Sequence, residues 1–137
     1  MKCNTRDFGE VEYNESDVIK FVQAPFGFEE FTDYIMILNE EQPNFISWLQ
    51  STTNPNLCFI LVNTFDIYSP EIPEEVTQAI GDGTTSIFGI CVITQDIKKS
   101  TINLKSPIFI NEDTQTATQF ILSKNYAIKH LLFDEGE

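Results

Sequence analysis

The sequence predicts a mainly β, single-domain protein with one short helix, and three observations carry that reading. β-Branched and aromatic residues gather in short runs, which turn residues separate at the spacing of all-β domains. Only one segment combines helical caps with helical periodicity. The chain has 137 residues, 42% of them hydrophobic and twelve of them Phe. That is enough to bury one core and too little for two.

Taken in order, Phe8 to Tyr13 alternates as a half-buried strand, and Asn14 to Asp17 reads as a hairpin turn into a second strand. Two apolar runs, Val18 to Val22 and Tyr34 to Leu38, flank the loop Gln23 to Asp33. Pro25 and Gly27 break regular structure there, and Phe28, Glu29, Glu30 and Phe31 suit one helical turn. Phe45 to Gln50 is a strand candidate between Pro43-Asn44 and the turn Thr53 to Asn56. Leu57 to Val62 is apolar on both faces, as in a strand covered from two sides at the centre of a fold.

The helix begins at Pro73, which suits the first helical position, and Glu74 and Glu75 favour the positive end of its dipole. Ile72, Val76 and Ile80 recur every four residues and predict one apolar stripe, with Gly81 ending the helix in the left-handed region. Asp82-Gly83 turns the chain into the strand Ser86 to Thr94, where Gly89 marks a bulge or a bend. After a turn at Lys98 and Lys99 come Thr101 to Lys105 and Ser106 to Ile110. Pro107 cannot donate to a ladder, which places it at an edge or a bulge. Asn111 to Asp113 turns into a final strand, Thr116 to Leu122, and the tail Asp134 to Glu137 is acidic and frayed.

Charge sharpens the functional reading. With 21 acidic and 8 basic residues the formal net charge is −13. No Lys or Arg occurs between Lys20 and Lys98, whereas the last forty or so residues are close to neutral. Such a field repels nucleic-acid phosphates and speeds encounter with basic partners. Direct nucleic-acid binding is therefore not expected. No run approaches the ~18 apolar residues of a membrane helix, and Met1 to Glu10 lacks a signal-peptide core, so a cytoplasmic protein is expected.

Material for catalysis is thin. Cys3, Cys58 and Cys91 are widely separated, without metal-site spacing, and Cys58 and Cys91 lie in the most apolar strands as small core residues. His130 stands alone near the C-terminus, in Tyr126 to Leu132, and reads as a packed or solvent-facing side chain. Gly81 to Thr84 lacks the Lys and the strand-then-helix order of a phosphate loop. No enzyme, cofactor or metal is expected. The competing reading is a barrel with a ligand or catalytic pocket, for which Trp48, Gln50 and Asn63 are the natural lining groups.

The order of residues resembles the FliW family of flagellar assembly factors along nearly the whole chain. The opening Phe8 to Tyr13 is similar to the family's first strand, and Phe26-Gly27-Phe28-Glu29-Glu30-Phe31 to its Gly-Phe-Glu loop. Trp48 to Ser51, Asn54-Pro55, Phe59 and Asn63 to Phe65 match its middle. Asn103-Leu104, Ser106 to Ile108, Ile110-Asn111 and Gln119 to Leu122 match its end. Asn63-Thr64-Phe65 departs from the usual Asn-Pro-Phe.

The resemblance implies a small β-barrel-like fold, with residues 1–137 as one domain of this family. It further implies binding to flagellin and to the RNA-binding translational regulator CsrA, relieving repression of flagellin translation by a non-competitive mode. Partner contacts are expected on two acidic patches that a loop and a helix present: Phe28, Glu29 and Glu30 in the first, and Glu71, Glu74 and Glu75 in the second.

Overall fold

The computed structural model describes residues 1–38 and 46–133. Its strands are β1 (Lys2–Thr5), β2 (Gly9–Glu12), β3 (Ile19–Gln23), β4 (Asp33–Leu38), β5 (Ile46–Ser51), β6 (Cys58–Asn63), β7 (Thr85–Val92), β8 (Thr101–Asn111), β9 (Thr116–Gln119) and β10 (His130–Leu131). Among the described residues there is one α-helix, α1 (Glu74–Ile80), between β6 and β7. Strands β3 to β8 pair with their sequence neighbours in antiparallel fashion, β9 pairs antiparallel with β8, and β9 runs parallel to β3. That last pairing closes a seven-stranded barrel. Closure removes the open edges that a flat sheet would present. β10 extends the sheet beside the start of β8, and β1 with β2 forms a separate ribbon.

Period-two alternation sorts the side chains. On β4, Tyr34 and Met36 join the interior cluster with Phe21, Leu49, Leu61 and Ile108, while Ile35 and Ile37 face outward to Cys3, Val11 and Tyr13 of the ribbon segment. On β6, Leu61 points inward and Val62 outward, where Cys91, Ile102, Tyr68 and Tyr126 cover it. This second layer explains why β6 is apolar on both faces, as its sequence indicates. Each buried aliphatic or aromatic side chain stabilises the fold by about 1.5–3 kcal/mol relative to exposure.

The seven residues of α1 are too few to be stable alone, so its packing decides. Val76 and Ile80 are buried against Phe109 and Leu122. Gly81 caps the helix at φ +86°, a conformation glycine adopts without a Cβ penalty. Two details differ from the sequence reading. Pro73 is the N-cap, with extended ψ of 148°, and not the first helical residue. Ile72 precedes the helix and is 41% exposed, outside the buried stripe.

The predicted hairpin from Phe8–Tyr13 into the next strand does not form. β2 pairs instead with β1, from Lys2↔Glu12 to Thr5↔Gly9. Asn14 to Asp17 makes a short 3-10 turn with a capping box, in which the Asp17 carboxylate accepts from the Asn14 N–H at 2.9 Å. The polar N-terminus hid β1, whose only buried residue is Cys3. Phe28 to Phe31 is also not helical. Phe28 N–H donates to Pro25 and Phe31 N–H to Phe28, giving two successive reverse turns. Thr101–Lys105 and Ser106–Ile110 are one strand, interrupted at a bulge where Gly89 separates the pairs Phe88↔Ile108 and Ile90↔Asn103. Pro107 lies within that interruption, and on its other side its carbonyl accepts from Phe120 N–H while its ring nitrogen can donate nothing in return. The predictions for Phe45 and for Asp134 to Glu137 fall outside the described residues.

Candidate functional site

Burial sets the chemistry available to this protein. The three cysteines are buried. Burial pushes the Cys58 thiol up to about 11 and the Cys91 thiol up to about 12, and raises that of Cys3. These thiols are held neutral, in the state least able to act as nucleophiles. His130 is exposed on β10, opposite Ile102. Among the described residues no group of three or more His, Cys, Asp or Glu is placed to hold a metal ion.

The residues named for a ligand pocket do not converge. Gln50 is fully buried, and its amide accepts from Arg6 N–H at 3.0 Å and donates to the carbonyls of Ser51, Asn54 and Pro55. It ties the ribbon to the β5–β6 turn. Trp48 packs edge-on against Phe8 with ring centroids 5.0 Å apart. Asn63 accepts from Phe65 N–H at the head of a shallow cleft of about 230 Å³. The barrel interior is packed with side chains such as Phe21, Tyr34 and Leu49.

The acidic residues are better gathered. Glu71, Glu74 and Glu75 are exposed and line a cleft of about 410 Å³, whose opposite wall is Phe120 to Lys124. Their sequence explains the placement: Pro70 is buried and Pro73 fixes the N-cap, so Glu71 and the first helical turn stand together at the rim. Gln78 Nε2 donates to Glu74 Oε1 at 3.2 Å. The ion pairs found among the described residues, Lys2–Glu10, Arg6–Asp7 and Lys20–Asp33, include none of these three carboxylates, and Lys124 is the one cation lining the cleft.

In the Gly-Phe-Glu loop, Gly27 turns the chain at φ +91° and its N–H donates to Glu29 Oε2 at 3.0 Å. Phe28 is 39% exposed and meets Phe59 edge-on at 5.5 Å, and Glu29 and Glu30 face solvent. This loop patch does not line the helix cleft. A second cleft of about 450 Å³ brings the two regions near one another: Val22 and Phe26 form one side, Glu75 and Ala79 the other, with Phe120 and Ile121 between. Glu75, Phe120 and Ile121 belong to both clefts. Val22, Phe26, Ile72 and Ile121 are each at least 40% exposed, an apolar strip beside a carboxylate rim. Sequence reasoning missed Val22, Phe26 and Ile121. The available signal was Pro25, which cannot extend the β3 ladder and so leaves a gap beyond it.

A packed seven-stranded barrel with an acidic cleft flanked by exposed aliphatic side chains defines a small β-barrel protein whose surface is of the kind that contacts other proteins. The model of the FliW protein family matches residues 2–132. The flagellar assembly factor FliW of Caldanaerobacter subterraneus subsp. tengcongensis is 37% identical, covering 98% of this chain and 95% of that protein. That of Thermoanaerobacter pseudethanolicus is 35% identical with the same coverage. A crystal structure of the flagellar assembly factor FliW superposes with a TM-score of 0.89 at 29% identity, covering 98% of this chain and 99% of the other. The chain belongs to the FliW family of flagellar assembly factors.

Proposed function

We propose that this chain is a cytoplasmic regulator that binds flagellin and a CsrA-type RNA-binding translational regulator, and so relieves repression of flagellin translation. The observation that carries the reading is the acidic rim of Glu71, Glu74 and Glu75 beside exposed Ile72 and Ile121, on a chain of the FliW family. A protein that holds RNA phosphates presents cationic surface, and this rim is its electrostatic counterpart. The same charge disfavours contact with the RNA itself, which supports action through the regulator and not on the transcript. Phe28, Glu29 and Glu30 form the second acidic patch of the reading.

Stopped-flow association with purified CsrA and with flagellin over a salt series tests it. The triple variant Glu71→Lys, Glu74→Lys, Glu75→Lys is expected to associate with CsrA several-fold more slowly than the parent and with a weaker dependence on salt. The pair Glu29→Lys, Glu30→Lys tests the loop patch. Losing acidic residues from the first helical turn costs only about 0.3–1 kcal/mol each, and Glu29 and Glu30 are exposed in a non-helical loop, so both variants should keep the parental circular dichroism spectrum. Parental rates for both folded variants at every salt concentration would remove the acidic patches from the interface.

A further inference from the structure

The two clefts share an unfinished strand. β9 pairs with β3 on one side only as far as Gln23↔Thr118. β3 cannot continue, because Pro25 has no N–H and Phe26 N–H instead donates to the Gln119 side chain at 2.7 Å. On its other side β9 does continue. Phe120 N–H donates to Pro107 and Leu122 N–H to Lys105, at 3.2 and 2.8 Å, in the register set by Ile108↔Gln119. In an extended chain the N–H and C=O of the residue between them point the opposite way, into the space that β3 vacates. Ile121 makes no backbone hydrogen bond among the described residues and is 56% exposed.

The geometry points to a strand-addition site: Phe120 to Leu122 takes up an extended segment of a partner protein, which pairs with the free N–H and C=O of Ile121 in the gap between α1 and Phe26. Three features of the site define the occupant. A free sheet edge recognises backbone, so the segment is extended and contains no proline at the pairing residue. Exposed Val22, Phe26 and Ile121 receive aliphatic side chains on alternate positions. Glu71, Glu74 and Glu75 at the rim favour Lys or Arg on the remaining ones. A helical occupant would leave the Ile121 backbone unpaired, which is why an extended one is favoured. The inference rests on the reading that this rim belongs to a protein-binding surface, and it specifies how that surface binds.

The test uses the whole chain and an eight-residue peptide of alternating Val and Lys. A peptide with Pro at every second position and a peptide of alternating Val and Glu serve as controls. Binding by fluorescence anisotropy is joined to backbone amide exchange, followed by nuclear magnetic resonance. The expected result is binding of the Val-Lys peptide at least tenfold tighter than of either control, with slowed exchange of the Ile121 amide. Ile121→Pro, which removes the free donor, should weaken that binding at least tenfold.

Binding without protection of Ile121 overturns strand addition whatever the variant does, so a misfolded Ile121→Pro leaves the test intact. Equal binding of the Pro-containing peptide overturns it too. Failure of the peptide while CsrA and flagellin still bind the parent chain overturns the inference and leaves the protein-binding reading standing. Failure of all three overturns both.

Discussion

Tyr34 shows how one atom can oppose its own residue. Its ring is fully buried and makes edge contact with Phe21 at 5.1 Å, yet its hydroxyl has no hydrogen-bond partner among the described residues. Burying an unpartnered hydroxyl costs about 1–3 kcal/mol. Tyr34→Phe keeps the ring and removes the penalty, so the variant is expected to be more stable by about 1 kcal/mol. The measurement is urea unfolding, with a higher midpoint at an unchanged slope; a lower midpoint would show that the hydroxyl is satisfied in solution. Burial also pushes Tyr34 up to about 12 from its ordinary 10.0, and Cys58 and Cys91 up to about 11 and about 12 from 9.0. The folded chain therefore retains protons that the unfolded chain releases. Stability from these groups is complete below pH 9.0 and declines as pH rises toward about 12. Midpoints measured upward from neutral pH should fall only on the alkaline side of this limit.

The β7–β8 pair shows the same dependence at the level of the element. Between Phe88↔Ile108 and Ile90↔Asn103, two steps on β7 face five on β8. Asn103 Oδ1 accepts from Lys105 and Ser106 N–H at 2.9 and 3.0 Å, holding the extra residues in place. The excursion flips the strand's parity, so that Ile102 and Leu104 join the outer cluster while Ile108 and Ile110 fill the barrel. Gly89 permits the crossing, because a Cβ there would sit 2.5 Å from Ile102 Cδ1 and 3.1 Å from the Asn103 carbonyl. Gly89→Ala is expected to cost about 1–3 kcal/mol, the usual penalty of overpacking. A loss below about 0.5 kcal/mol in denaturant unfolding would mean that Ile102 repacks freely.

For the whole molecule, net charge outweighs pairing. A formal charge of −13 is set against three ion pairs among the described residues, all at exposed side chains. Exposed pairs contribute only about 0–1 kcal/mol each, whereas self-repulsion acts across the entire barrel. Salt screens both, so raising it should stabilise the fold. The thermal midpoint is expected to rise by several degrees between about 0.05 and 0.5 M sodium chloride, as the screening length shortens from well over 10 Å toward a few ångströms. A falling midpoint would show that the pairs dominate.

The sequence by itself determined the local alphabet of this protein. β-Branched runs placed β3 to β9, Pro73 and Gly81 bracketed the helix to within a residue, and Leu57 to Val62 declared a strand covered on both faces. The acidic interval and the buried character of Cys58 and Cys91 were legible in the same way, since charge and hydropathy belong to residues one at a time. What only the tertiary structure decided is pairing. Nothing local gives Gly9–Glu12 to Lys2–Thr5 in preference to the next strand, or closes β9 onto β3 in parallel, because those choices depend on which distant apolar faces must be covered. The candidate site divides along the same line. Glu71, Glu74 and Glu75 stand out in the sequence as charges near a helix start, but Ile121 acquires its free backbone only because Pro25 stops a partner strand ninety-six residues earlier, and long-range hydrogen-bond satisfaction has no signature in a local run of residues.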